Sequence, residues 1–408
     1  MTDIHIYNGN QIGGCITVIS TKQAKIMIDF GKNLPGSKTQ DYEMDWEREQ
    51  VNAVFFTHYH GDHVGRFKEI PKHIPLYMGD VARLVMNTIA EHIKDTEALE
   101  ILKNPTRVHE VTANKSIDIK DIKITPYMVD HSAYDAYMYL IETPDKTILH
   151  TGDFRGHGYR GKALIPMLKK YICKNGEREI DVLITEGTMM SRLGEKIYSE
   201  ADMKKDAAKL FQEHKYVFLI CSSTNVDSLA TFYQEAKKHR IKMYGNSYVY
   251  EQLVNYRNTA GKKSDLYKFE YVYPVHFKKL INGKITQEEM MRKQGFLIVI
   301  KPEEGYHKWI EKFADLNPVL VYSMWNGYLN PKQDAFNLSW KRFMDRYKEN
   351  TIDMHTSGHA DVALLEEVIR TVNPKETIMP IHTEEAEKFK ELNISEELKI
   401  LIKENVYI

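Results

Sequence analysis

Seven residues, Thr57-His58-Tyr59-His60-Gly61-Asp62-His63, constrain this chain more than any other feature of it. They follow the apolar run Ala53-Val-Phe-Phe and lead into a helix-compatible stretch. In an extended segment, residues two apart point to the same side, so His58 and His60 can grip one cation. Asp62 and His63, at the start of the next element, can then face a second. Imidazole nitrogen and carboxylate oxygen suit zinc and are also compatible with manganese. A surface loop rich in histidine is the plain alternative, and four ligand-type side chains at this spacing argue against it.

A site for two cations needs three more donors, and the sequence offers them. His131 lies in Val129-Asp-His-Ser, Asp153 in Ile148-Leu-His-Thr-Gly-Asp-Phe, and His382 in Met379-Pro-Ile-His-Thr-Glu. Singly, each is more ordinary as a structural residue, and an Asp after Gly is commonly a turn. Together they carry weight because each falls at the C-terminal end of a strand-like run, where layered α/β folds place their sites. A carboxylate such as Asp153 can bridge two ions with one oxygen on each.

The surrounding pattern is α/β. Ile16–Ser20, Ala24–Asp29, Ala53–Thr57, Thr147–Thr151 and Asp181–Thr185 read as short strands, and Val81–Leu102 as one helical stretch. From about Ser191 a second alternation begins. Ala201–His214 and Val226–His239 read as helices, and Val217–Cys221, Ile241–Tyr244, Phe296–Ile300 and Val319–Tyr322 as strands. Such β/α units imply a mostly parallel sheet. No Gly/Ser linker separates the blocks, so the second is expected as an insertion packed into the first. The expected domains are 1–190, 191–348 and 349–408, the last returning to the first.

The 408 residues carry 42% hydrophobic and 28% charged residues and a net charge of -1, so any polyanion partner must meet locally gathered basic residues. The three cysteines, Cys15, Cys173 and Cys221, are scattered and imply neither a disulfide framework nor a zinc ribbon, which fits a reducing, cytoplasmic setting. The N-terminus shows no secretory pattern, and the apolar runs are strand-length, so no membrane association is expected.

The motifs HYHGDH, VDHS, HTGDF and PIHTE resemble the successive metal motifs of the metallo-β-lactamase superfamily, as Gly13-Gly14 and Ile28-Asp-Phe-Gly31 resemble its opening strands. The resemblance covers Ile4 to about Glu186 and the segment from about Asn350. It implies a four-layer αββα sandwich with an inserted smaller α/β domain. By that match, His58, His60 and His131 would hold one ion; Asp62, His63 and His382 would hold the other, and Asp153 would bridge. Ile184-Thr-Glu186-Gly-Thr, His355-Thr-Ser-Gly-His359-Ala and Pro380-Ile-His382-Thr-Glu further resemble, in order, three motifs of the β-CASP nucleases, most like the ribonuclease J group without its separate C-terminal domain.

That resemblance implies hydrolysis of RNA, with single-stranded DNA as a lesser option, by a hydroxide activated between two divalent ions, zinc foremost. The chemistry is coherent: phosphodiester displacement builds negative charge, and two metals about 3.5–4 Å apart can hold a hydroxide and clamp the phosphate. Catalytic roles fall to Asp62, to His359 as proton donor to the leaving oxygen, and to Glu186, orienting a ligand imidazole from behind. Ser357, Gly358 and His359 would line the phosphate pocket. A homodimer is implied by the resemblance alone.

Two departures stand out. Thr224-Asn-Val-Asp227 occupies the place of a Ser-Asn-Val-His stretch that helps bind a 5′ monophosphate, and a carboxylate there would repel phosphate. Ser323-Met-Trp-Asn-Gly-Tyr replaces a Pro-Gly-Asn. In the insertion, Lys242, Arg257, Lys262, Lys263, Lys268, Lys278 and Lys279 interleave with tyrosines from Tyr244 to Tyr273, a mixture suited to single strands. Competing expectations are a hydrolase of a small phosphodiester, thioester or lactone on the same fold, and a binding protein with a relict site.

Overall fold

The computed structural model describes residues 1–402 except 36, 38, 193, 195 and 196. The chain divides into two compact units, one of Met1–Lys196 with Gly358–Ile408, the other of Ile197–Ser357.

The first unit is built on two six-stranded sheets. One contains β1 (Asp3–Tyr7), β2 (Ile16–Ser20), β3 (Lys25–Ile28), β4 (Ala53–Phe55), β5 (Leu76–Gly79) and β6 (Val108–Val111), in that order. Its first three strands run antiparallel and the rest parallel. The other sheet contains β7 (Ile117–Ile119), β8 (Ile122–Met128), β9 (Tyr137–Glu142), β10 (Thr147–His150), β11 (Val182–Glu186) and, from the end of the chain, β20 (Thr377–Ile381). β10, β11 and β20 run parallel. Ile19, Ile26 and Phe55 of the first sheet pack with Tyr139, Ile148, Ile184 and Met379 of the second in one core. The opposite face of the second sheet buries Leu140, Leu149 and Leu183 against Leu168, Leu365 and Ile369 of the helical layer. Near-continuous burial along β11 and β20 reflects strands covered on both faces.

Parallel strands deliver their C-terminal ends to one edge, and the motif residues follow those ends. His58 comes after β4, Asp153 after β10, Glu186 closes β11, and His382 follows β20. The stretch expected as one helix over Val81–Leu102 is two, Asp80–Ile93 and Thr96–Lys103. Lys94 ends the first in the left-handed region at φ 60°, and Asp95 caps the second by accepting from Ala98 N–H. Lysine gives no sequence signal for that conformation, whereas Asp95 is a preferred cap.

The second unit holds a six-stranded, all-parallel sheet in the order β14-β13-β17-β12-β18-β19, formed by β12 (Tyr216–Cys221), β13 (Met243–Gly245), β14 (Val272–Pro274), β17 (Phe296–Ile300), β18 (Val319–Ser323) and β19 (Thr351–Asp353). A small hairpin, β15 (Leu280–Ile281) with β16 (Ile285–Thr286), stands apart. The helix Glu200–Glu213 opens on a capping box in which Ser199 and Asp202 satisfy each other's backbone N–H groups. Phe218, at the centre of the sheet, meets Phe296 at 5.1 Å between ring centroids.

Phe218→Ala is expected to cost the second unit about 3–5 kcal/mol, because it removes a fully buried ring from a closed aromatic cluster. Urea unfolding followed by tryptophan fluorescence checks this, and a loss under about 1 kcal/mol would contradict the packing described.

Candidate metal and active site

Within the first unit, imidazole and carboxylate atoms converge in two adjoining sets. In the first, His58 Nε2 lies 3.0 Å from His60 Nδ1, and His131 Nε2 lies 3.2 Å from the same atom. In the second, His382 Nε2 lies 3.3 Å from Asp62 Oδ2, and His63 Nε2 lies 3.1 Å from Asp153 Oδ2. Ligand atoms of His58, His60 and His131 fall within 4.8 Å of one another, as do those of Asp62, His63 and His382, those of His58, His63 and Asp153, and those of Asp153, Glu186, His359 and His382. Every residue named as a metal-ligand candidate from sequence is thus brought to this one place. Glu186 and His359 join them.

The outer atoms of these rings decide what the inner atoms can do. His63 Nδ1 donates to Asp29 Oδ2 at 2.8 Å, leaving Nε2 pointed at the Asp153 carboxylate without a hydrogen bond. His131 Nδ1 donates to the Gly358 carbonyl at 2.6 Å, which leaves its Nε2 a bare lone pair aimed at His60. His382 Nδ1 lies 2.8 Å from Thr188 Oγ1, whose hydroxyl in turn reaches the His382 carbonyl at 3.2 Å, and this again turns Nε2 inward. Lone pairs facing lone pairs repel unless a proton or a cation sits between them. The donor set, nitrogen and carboxylate oxygen around a buried centre, fits divalent metal.

Charge tells the same story. Burial, reinforced by the other imidazoles, holds His58 and His131 well below the usual imidazole range, and burial lowers His60 to about 4. These three rings are therefore neutral at neutral pH. Burial opposes charge on His63 as well, yet Asp153, Asp62 and Asp29 outweigh it and hold the ring well above its ordinary value in the metal-free chain. Burial also disfavours the Asp62 carboxylate, but His63 and His382 overcome it and keep that group ionised far into acid.

Glu186 is the hub of the far side. Its Oε1 accepts from Phe154 N–H at 2.9 Å, fixing the loop that carries Asp153, and its Oε2 pairs with His359 Nδ1 at 3.0 Å. Burial disfavours the His359 cation, but Glu186 and then Asp153 more than compensate, pushing the ring up to about 9. Glycine at 358 lets the backbone approach His131 closely, since a Cβ there would come within 2.9 Å of Ser132 Oγ and 3.1 Å of His131 Cε1. Ser357 belongs to the second unit, on the other side of the division from Gly358 and His359.

Several functional groups were not legible as such. Asp29 sits in the Ile-Asp-Phe-Gly motif at a left-handed φ of 60° and also accepts from Thr57 N–H at 2.7 Å and Thr57 Oγ1–H at 2.8 Å. Thr188 and the Gly358 carbonyl act across 194 and 227 residues of sequence. Asp227 is the carboxylate expected from Thr-Asn-Val-Asp to repel a terminal phosphate. It is fully buried in the second unit, accepting from Tyr267 Oη–H at 2.6 Å, so its charge is spent inside the fold. The tyrosines of the insertion are likewise mostly core: Tyr244, Tyr248, Tyr256 and Tyr267 are buried, and only Tyr271 and Tyr273 are among the exposed large side chains.

Comparison with known proteins follows the same lines. Residues 25–202 match the Beta-lactamase superfamily domain, and residues 347–408 match the Zn-dependent metallo-hydrolase RNA specificity domain. The chain has the metallo-β-lactamase fold. It resembles ribonuclease J: the Mycoplasma genitalium protein of that name is 23% identical over 345 residues, which is 82% of this chain and 58% of that protein. The Thermus thermophilus ribonuclease J is 23% identical over 398 residues, 92% of this chain and 66% of that one. Ribonuclease J 1 of Streptococcus pyogenes is 31% identical over 110 residues, 26% of this chain and 18% of that protein. The chain therefore spans less than two thirds of the length of these relatives. A crystal structure of a protein of unknown function from Enterococcus faecalis V583 superimposes with a TM-score of 0.70 at 19% identity, covering 95% of each chain.

Asp29→Ala is expected to weaken divalent-metal affinity about 10–100-fold, because it releases His63 from its fixed tautomer and orientation. Isothermal titration of metal-free protein with zinc reads this directly, and an unchanged affinity would show that Asp29 serves the fold alone.

Proposed function

We propose that the chain is a divalent-metal-dependent phosphodiester hydrolase acting on RNA, with single-stranded DNA as a secondary substrate. The observation that carries this reading is the pairing of two inward-facing donor sets, joined at Asp153, with an adjacent imidazole that is not needed to complete either. His58, His60 and His131 would hold one ion, and Asp62, His63 and His382 the other. Zinc is the first choice and manganese the second. Bound there, the ions would supply Lewis-acid charge and a water of lowered pKa. Kinship in name and sequence with ribonuclease J and the RNA specificity domain match favour RNA over other substrates with the same chemistry.

The chain's own residues then have distinct tasks. Asp62, ionised and partly open to solvent, can hydrogen-bond and orient the attacking water as well as serve as a ligand. His359 keeps one edge accessible, its side chain 22% exposed, while Nδ1 is committed to Glu186. With Nδ1 on Glu186, Nε2–H is the atom that would hydrogen-bond a phosphate oxygen and protonate the leaving oxygen. Glu186 is a positioning residue: it holds His359 from behind and ties it to the Asp153 loop. Gly358 gives its carbonyl to His131, so its part in phosphate binding falls to its N–H. A homodimer working in the cytoplasm fits the ribonuclease J resemblance. With Asp227 buried, the sequence no longer argues against recognition of a 5′ monophosphate through that residue.

Zinc- or manganese-loaded protein is expected to cleave end-labelled single-stranded RNA, and Asp62→Ala to abolish cleavage. Mononucleotide product would mean an exonuclease, and discrete fragments an endonuclease. Intact RNA with either metal would sink the nuclease reading in favour of a small-molecule hydrolase.

His359→Ala is expected to lower kcat by about 10²–10⁴-fold while leaving metal content unchanged. Loss of metal in that variant would recast His359 as a ligand.

A further inference from the structure

Between Phe154 and Gly176 the first unit contains no acidic residue but six basic ones, Arg155, Arg160, Lys162, Lys169, Lys170 and Lys174, in a chain whose net charge is -1. The two arginines are structural and anchor the segment. Arg155 is fully buried, its Nε 3.6 Å from the buried Asp130 carboxylate, and its backbone N–H donates to Asp130 O at 2.7 Å. Arg160 donates to the His131 carbonyl at 3.0 Å and lies over the Tyr134 ring at 5.0 Å. The segment is thereby tied to the loops that carry Asp153 and His131.

The four lysines are different. All are exposed, and among the described residues no carboxylate pairs with any of them. Other surface lysines do pair, as Lys237 with Glu270 and Lys312 with Glu288. Lys162, Lys169 and Lys170 ride on a continuous helical stretch, Gly161–Ala163, Leu164–Met167 and a π-helical turn Leu168–Ile172, and Lys174 follows at φ 46° in the 3-10 turn Lys174–Gly176. Its apolar side is fixed in the core by Leu164, Leu168 and Ile172, so the basic side can only face out. Tyr171, 50% exposed with Lys170 Nζ 5.2 Å from its ring, adds a flat aromatic surface. π-turns are rare and often mark functional sites.

We propose that Lys162, Lys169, Lys170, Lys174 and Tyr171 form a track for single-stranded RNA that leads away from the metal site, the lysines meeting phosphates and Tyr171 stacking a base. This deepens the nuclease reading and rests on it. Unpaired positive charge is costly unless it has solvent or a polyanion, and unpaired lysines gain most from phosphate because no carboxylate must first be displaced. At about 1.5 Å per helical residue Lys162 to Lys170 spans roughly 12 Å, enough for about three to four stacked nucleotides, and Lys174 lies beyond that end. Substrates longer than the site itself should therefore engage it, and shorter ones should not.

The test compares wild type with the variant Lys162→Gln/Lys169→Gln/Lys170→Gln/Lys174→Gln on a 25-nucleotide and a 4-nucleotide RNA. We expect KM for the 25-mer to rise about tenfold with kcat unchanged, and the 4-mer to be unaffected. Fluorescence anisotropy of the metal-free proteins with the same 25-mer should show the variant's affinity falling less steeply with salt, by about two to three units of logarithmic slope. Tyr171→Ala should weaken binding without altering that slope. An unchanged affinity and slope in the quadruple variant, or wild type that does not bind the 25-mer, would overturn the track. An equal loss on both substrate lengths would overturn it too, as damage to the site itself. Wild type that binds the 25-mer through these lysines but cleaves neither RNA would instead refute the nuclease reading.

Discussion

Acceptor atoms pressed together repel, and the centre of the first unit is made of them. His63 Nε2 faces Asp153, His382 Nε2 faces Asp62, and the inner nitrogens of His58, His60 and His131 face one another. Nothing in hydrophobic packing rewards such an arrangement, since each group loses hydration among neighbours that are mostly acceptors like itself. Positive charge at the centre reverses the sign. In the metal-free chain that charge falls to protons on His63 and His359, which is why both are held above the ordinary imidazole range by their carboxylates. A divalent cation would do the same more completely, and the rest of the unit is arranged to keep the acceptors from turning away.

Much of that arrangement consists of single hydrogen bonds on the outer side of each ring. Asp29 holds His63, the Gly358 carbonyl holds His131, Thr188 holds His382, and Glu186 holds His359. Each fixes a tautomer and therefore decides which nitrogen is left as a lone pair. Their dependence on backbone position explains the local oddities of the chain. Asp29 and His382 both sit at positive φ, and Gly358 has no room for a Cβ. Such strain is tolerated where the surroundings over-determine it, and here the sheets do so by delivering β4, β10, β11 and β20 to one edge.

What could be seen in the sequence follows from how far apart the partners lie. His58, His60, Asp62 and His63 occupy six consecutive positions, so strand periodicity alone suggests that they converge. His131, Asp153 and His382 could be suspected because each ends a strand-like run. The orienting groups could not, since a threonine and a glycine carbonyl carry no chemical signature until the fold brings them alongside a ring nearly two hundred or more residues away. Asp227 and the insertion tyrosines failed for the opposite reason. Their residue types advertise surface chemistry, but a Tyr267 hydroxyl and a parallel sheet covered on its faces absorb them into the core. Helix Asp80–Ile93 ended early for want of any signal, because Lys94 takes a left-handed turn that its side chain does not announce.

Pairing differs among the basic residues. In the insertion, some are neutralised, as Lys237 is by Glu270 and Lys268 by Asp265, so composition alone does not give the field they project. The stretch from Phe154 to Gly176 looks unremarkable in a neutral chain, yet its lysines meet no counter-charge once folded, while its arginines are consumed in holding the His131 and Asp153 loops. Uncompensated charge, unlike total charge, is a property of the fold. A protein of net charge near zero can therefore still present a polyanion with a continuous positive surface, provided that its acids are paired elsewhere. The buried Asp130–Arg155 pair shows how this is made rigid: it joins the loop bearing His131 to the start of the basic segment, so that the lysines are held in fixed register to the cluster of imidazoles and carboxylates.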